Sequence, residues 1–140
     1  DDDELVIWAG LVLRRTPRCI LERCGESVAP RAGGVFVQTV VGGSPADTRE
    51  IHPYCFLMEI DGHPIRQLSD VLQHGHISAA APQAGEGSPS CQSRGAWVRL
   101  QLLDMNGQEH VRAIQHDPLF FPTLDLWRNG SGRWQCTQRG

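Results

Sequence analysis

The chain lacks any apolar run approaching the roughly 20 residues that a helix needs to cross a bilayer, which excludes insertion by a membrane-spanning helix. It also lacks a basic face. With a net charge of -3 and its arginines scattered, nothing offers a phosphate backbone the clustered positive charge it requires, so nucleic acid is not an expected partner. No Gly-x-Ser-x-Gly elbow surrounds any serine, and no other nucleophile signature replaces it, so no hydrolytic centre is expected within these residues. Cys-x-x-Cys and His-x-x-x-His pairs are absent too, although His74 and His76 stand two apart and Cys19, Cys24, Cys91, His110 and His116 offer nitrogen and sulfur ligands. Solvated histidines flanking a loop fit that spacing better than a metal site, and no cofactor is implied. The five cysteines are odd in number and irregularly spaced, so they read as reduced thiols, with Cys55 filling core space beside a strand. No secretory leader is visible. Because the chain opens on Asp1-Asp2-Asp3-Glu4 without methionine, it is expected to be a fragment of a longer protein, and localisation stays unassigned.

What is present suits one ordinary domain with a real core: 140 residues, 40% hydrophobic and 21% charged. The most informative stretch is residues 34–72. Alternation of Val35, Val37 and Thr39 against Phe36, Gln38 and Val40 has the period of a strand, stopped by Gly42, Gly43, Ser44 and Pro45. A second strand over 56–60 runs into the Asp61-Gly62 turn, after which Leu68, Val71 and Leu72 recur at helical spacing. The expected order is strand, turn, strand, short helix.

Before it, residues 5–13 form an apolar strand interrupted at Gly10, where the backbone needs freedom. Thr16-Pro17 opens a short helix with Thr16 as cap and Pro17 at its first position, running through Ile20 and Leu21 toward Cys24. Residues 76–95 are a run of Ala, Gly, Ser and Pro without periodicity and are assigned no regular structure. Two alternating runs, 97–103 and 109–114, flank Asn106-Gly107 and predict a hairpin. The tail concentrates Phe120, Phe121, Leu126 and Trp134, which are expected to anchor it on the domain.

Gly43-Ser44-Pro45-Ala46 after one strand and Asp61-Gly62-His63-Pro64-Ile65 after the next resemble a PDZ domain, in the form carried by HtrA (Deg) serine proteases. Trp8-Ala9-Gly10-Leu11 then falls where that family has its carboxylate-binding loop, at the start of the domain. Glu50-Ile51 and Pro53-Tyr54 depart from the usual Gly-Leu and Pro-Gly-Asp. With the tail pattern His116-Asp117 to Phe121-Pro122-Thr123, Leu126 and Trp134, they resemble the multi-PDZ branch found in fungal nuclei and plant plastids. The resemblance covers nearly the whole chain apart from the insertion. It implies an α+β, mainly β fold, a PDZ-like partly open β-barrel or sandwich of about five to six strands with two short helices. Residues 1–116 would form the PDZ-like domain, with 76–95 as a flexible insertion and 117–140 as an aromatic extension packed on it.

The function so implied is recognition of extended or C-terminal apolar segments by strand addition, in a module that regulates or assembles the parent protease, whose catalytic triad would lie in another domain. Such binding needs an open strand edge, backbone N–H groups around a carboxylate and an apolar pocket. Trp8, Ala9, Gly10 and Leu11 would supply the amides. Leu11, Val12 and Leu13 would form the pairing strand, and Leu68, Val71 and Leu72 the helical wall; the same leucines also serve as plain core. Against carboxylate binding stand the acidic residues 1–4 and the small Ala9. The alternative is a PDZ-like domain with a degenerate groove, used only to pack against other domains of its parent or to oligomerise.

Overall fold

In the computed structural model, which describes residues 4–26, 28–75, 97–117 and 120–139, the apolar stretch at the N-terminus is two strands, β1 (Glu4–Trp8) and β2 (Leu11–Arg15). Ala9 and Gly10 form the turn between them, with φ of 53° and 92°, the left-handed pair of a type I′ hairpin. The expected single strand interrupted at Gly10 is therefore corrected. The chain reverses there instead of running on.

Helix α1 (Arg18–Cys24) begins one residue later than the sequence implies. Pro17 is its cap, and the Thr16 hydroxyl donates instead to the Gly33 carbonyl at 2.9 Å. Its Ile20, Leu21 and Cys24 pack on Val28, Phe36, Phe56 and Leu103, a satellite core beside the main one. Strand β3 (Val35–Val40) follows, then a one-turn helix α2 (Pro45–Thr48) where only a turn was expected. Ser44 explains it: its side chain accepts from the Asp47 amide at 3.2 Å while Pro45 supplies the fixed φ of a first helical residue. Strand β4 (Cys55–Ile60), the two-residue β5 (His63–Pro64) and α3 (Leu68–His74) complete the central stretch. The Asp70 carboxylate accepts from the Arg66 and Gln67 amides and fixes the start of α3.

Strands β6 (Trp97–Asp104) and β7 (Glu109–Gln115) form the hairpin expected around Asn106-Gly107. The insertion at 76–95 lies outside the described residues. After it all, β8 (Thr123–Arg128) and β9 (Trp134–Arg139) make a second hairpin. Strand pairing, rather than aromatic burial, holds this tail: β8 runs antiparallel to β1 from Glu4↔Trp127 to Ile7↔Leu124. Phe120 is 73% and Trp134 47% exposed, while Phe121 and Leu126 are half-buried, so the aromatic anchor expected from composition is not what attaches it.

All strands pair antiparallel in one open sheet, ordered β7-β6-β4-β3-β2-β1-β8-β9, with β5 beside β4. The described residues are mainly β with three short helices, one more helix than expected within the expected α+β class. The strand number exceeds the expected count because β1, β5 and the β8–β9 hairpin add to the central set. Val6, Trp8, Leu11, Leu13, Val37, Leu57, Ile60, Val71 and Leu100 are fully buried in the main core between sheet and α3.

Candidate peptide groove

The sequence places a peptide-pairing edge on β2, facing α3. Both edges of β2 are already paired. On one side β3 runs beside it from Leu11↔Val40 to Arg15↔Val35, with a bulge between Val12 and Leu13. On the other lies β1, antiparallel and in continuous register from Leu5↔Arg14 to Trp8↔Leu11. Antiparallel partners directly opposite each other project side chains to the same face, so Val6 and Trp8 stand with Leu11 and Leu13 on the side that α3 covers. All four are fully buried. The position an added strand would take is held by the protein's own first strand.

Trp8 is the anchor. Its indole Nε1 donates to the Gly75 carbonyl at 3.3 Å, at the C-terminal end of α3, and its ring lies 5.6 Å from that of the buried His116. Gly75 has to be glycine here, because a Cβ would collide with the Trp8 indole and the Val71 carbonyl. Leu68 and Val71 close the helical side of the same core, and Leu72 packs half-buried against it. At roughly 1.5–3 kcal/mol for each large apolar side chain withdrawn from water, Val6 and Trp8 together give β1 several kcal/mol of reason to stay.

The loop that would cradle a carboxylate is anchored through its carbonyls to the segment after β3. Trp8 and Leu11 pair with each other across the two-residue turn, while the turn carbonyls of Gly10 and Ala9 accept from the amides of Val41 (2.8 Å) and Ala46 (3.2 Å). A Cβ on Gly10 would run into the Ser44 side chain, which is itself buried as the cap of α2. The Ala9-Gly10 turn and the Gly43-Ser44-Pro45-Ala46 segment, read separately in the sequence, thus form one interlocked contact.

Of the residues singled out in the sequence, Trp8, Ala9, Gly10, Leu11, Leu13, Leu68, Val71 and Leu72 come together around the end of α3 and the hairpin. Val12 does not: it pairs with Ile7 on the opposite face and is half-buried there. Sequence reasoning missed Val6, Ser44, Gly75 and His116. The alternation of Val6 with Trp8, mirrored by Leu11 and Leu13 across two small residues, was the available sign of a hairpin.

No family model matches this sequence, and no curated protein does. Among solved structures, the chain is similar to the HtrA3 PDZ domain bound to a phage-derived ligand (FGRWV). The TM-score is 0.52 and the identity 16%, and the match covers 84% of this chain and 95% of that one. The fold is PDZ-like. Glu50 and Tyr54 are both left-handed, with φ of 63° and 67°. Tyr54 holds its strained position with its amide on the Val37 carbonyl and its ring 6.2 Å from Phe36.

One other polar cluster has the residue types of a catalytic site. His110 Nε2 lies 2.9 Å from Asp104, and the hydrogen bond from His110, with amides of Gln108 and Asn106, holds the Asp104 carboxyl below its usual range. Cys55 lines the same cleft, but burial, and then the Asp104 charge, pushes its thiol up to about 12. It bonds the His52 carbonyl at 3.3 Å. A thiol held protonated in this way is not an activated nucleophile. Among the described residues, no three His, Cys, Asp or Glu side chains gather as metal ligands would, and His63 and His74 stack ring on ring at 4.4 Å. Cys19, Cys24, Cys55 and Cys136 are free thiols; His76 and Cys91 lie outside the described residues. No helix among the described residues is long and apolar enough to cross a membrane.

Proposed function

We propose that this chain is a non-catalytic PDZ-like recognition module of an HtrA-type serine protease of the multi-PDZ branch, in which the segment seated beside β2 is the protein's own β1. The observation that carries this reading is the double pairing of β2, with Trp8 locked at the end of α3. The fold and the order of motifs support the PDZ-like frame. The HtrA3 domain it resembles carries a peptide ligand, and the same mode is proposed here for extended segments ending in an apolar residue.

Such a segment has to displace β1. A strand tethered through a two-residue turn competes at an effective concentration of about millimolar or more, so a ligand of ordinary weak affinity loses by the fraction of molecules in which β1 has left. The same observation favours the second reading, a domain whose groove is permanently closed and which serves packing with other domains of the parent protease.

Titrating apolar peptides with free and amidated C-termini against the wild type and against Trp8→Ala separates the two. The recognition module gives negligible binding to the wild type and carboxylate-dependent binding to the variant. A closed structural domain binds in neither case. Tight carboxylate-dependent binding to the wild type, with β1 still paired to β2, would overturn the proposal.

A further inference from the structure

Strand β9 ends the sheet: among the described residues it pairs only with β8, in a register without interruption from Thr123↔Arg139 to Arg128↔Trp134. Protected edge strands carry a proline, a lysine, a bulge or an inward charge. β9 reads Trp-Gln-Cys-Thr-Gln-Arg and has none of these devices, its one charge standing at the last position. The chain as a whole contains no lysine. Across the hairpin the Asn129 amide donates to the Arg133 carbonyl at 2.9 Å. By antiparallel alternation, Gln135, Thr137 and Arg139 turn their backbone groups to β8, and Trp134, Cys136 and Gln138 turn theirs outward.

We infer that this edge is a docking surface for a second copy of the chain, joined antiparallel about a two-fold axis at Cys136. An axis perpendicular to the sheet brings opposite each other only residues that share a face. Centred on Cys136, it sets Trp134 against Gln138 of the second copy and Cys136 against its own counterpart. The three outward residues then exchange about six backbone hydrogen bonds. Between Trp134 and Gln138 no like charges oppose, Arg139 falls opposite Arg133 of the second copy beyond those residues, and each exposed indole gains an amide side chain to lie on. Of the two-fold registers that the backbone direction allows, the one centred on Cys136 pairs all three outward residues of β9, whereas centres at Gln135 or Thr137 pair only two of them with each other.

The side chains of Trp134, Cys136 and Gln138 share their face with Leu124 and Leu126 on β8, and through them with Leu5 and Ile7 on β1. These four aliphatic residues are half-buried and belong to neither core cluster. Pairing at β9 would join this apolar face to its equivalent in one continuous surface. The groove uses β1, β2 and α3 and no residue of β9, so this inference stands apart from the reading given above.

Sedimentation over a concentration series, under reducing conditions, tests it on the whole chain. The wild type is expected to enter a monomer–dimer equilibrium. Cys136→Lys and Gln138→Lys each place an ammonium on the pairing edge and should weaken it by about tenfold or more without shifting the melting temperature. A bismaleimide should cross-link a variant retaining only Cys136 and spare one retaining only Cys19, which is also exposed. A wild type that stays monomeric throughout, or a dimer indifferent to both lysine substitutions, would overturn the inference.

Discussion

Replacing Trp8 tests the plugged groove in energetic terms. Its side chain is fully buried between β2 and the end of α3, and its indole N–H satisfies the Gly75 carbonyl. Trp8→Ala removes the largest buried side chain of the protein and leaves a cavity bounded by rigid elements, a change that costs about 3–5 kcal/mol. A domain of this size has about 5–15 kcal/mol in all, so the variant stays folded but loses much of its margin. Trp8→Phe keeps most of the ring and deletes the N–H, leaving a buried carbonyl short of a partner at about 1–2 kcal/mol. Trp134→Ala, at a half-exposed site on β9, should stay within about 0.5 kcal/mol. Urea unfolding followed by circular dichroism gives all three on one scale, with an unchanged slope against denaturant as the check that the same surface is exposed on unfolding. If Trp8→Ala cost no more than Trp134→Ala, the indole would not be the anchor of β1, and the groove would not be held as described.

Gly10→Ala should be among the most damaging small substitutions, at about 2 kcal/mol or more, since it adds a Cβ against buried Ser44 at a left-handed position. Gly132→Ala, left-handed but facing open space, should cost about 1 kcal/mol by thermal melting; equal costs would deny the interlock between turn and α2. Glu50→Gly relieves an exposed left-handed residue and should raise stability by about 1 kcal/mol, whereas a loss would mean the glutamate side chain contributes more than the strain costs. Asp104 titrates lower folded than unfolded, so its contribution is full above the ordinary aspartate range and disappears as pH falls through the folded value. The stability gap between wild type and Asp104→Asn should therefore narrow as pH falls below the ordinary aspartate range, and a gap that did not change there would contradict the lowered carboxyl.

The central strands and the β6–β7 hairpin were legible because alternation and turn residues are local signals. The β1–β2 hairpin was harder to read, since alanine is a poor advertisement for a left-handed turn and Ala9 adopts one with its carbonyl held by the Ala46 amide far along the chain. Helix α2 hid inside a segment rich in turn formers, where only the cap chemistry of Ser44 and Pro45 distinguishes a helical turn from a bend. Residues around the hairpin and the end of α3 were named from spacing and resemblance, but Val6, Gly75 and His116, which pack beside them, were not named with them. What occupies the groove was not named either, because strand neighbours are long-range contacts that a sequence pattern leaves open: the composition of β1 fits an outer strand as well as it fits a resident ligand. Similarly, the tail was read through its aromatics, yet backbone pairing to β1 attaches it and leaves Phe120 and Trp134 at the surface.

Nuclear Overhauser effects read the pairing of β1 with β2 in solution without any substitution. In this register Ile7 faces Val12 and Leu5 faces Arg14 as the close, non-hydrogen-bonded pairs of the hairpin. Their Hα protons should give strong cross-strand signals that persist when an apolar peptide with a free C-terminus is added in excess. Absence of those signals in the free protein, together with peptide contacts at Leu11 and Leu13, would show an open β2 edge and contradict the account.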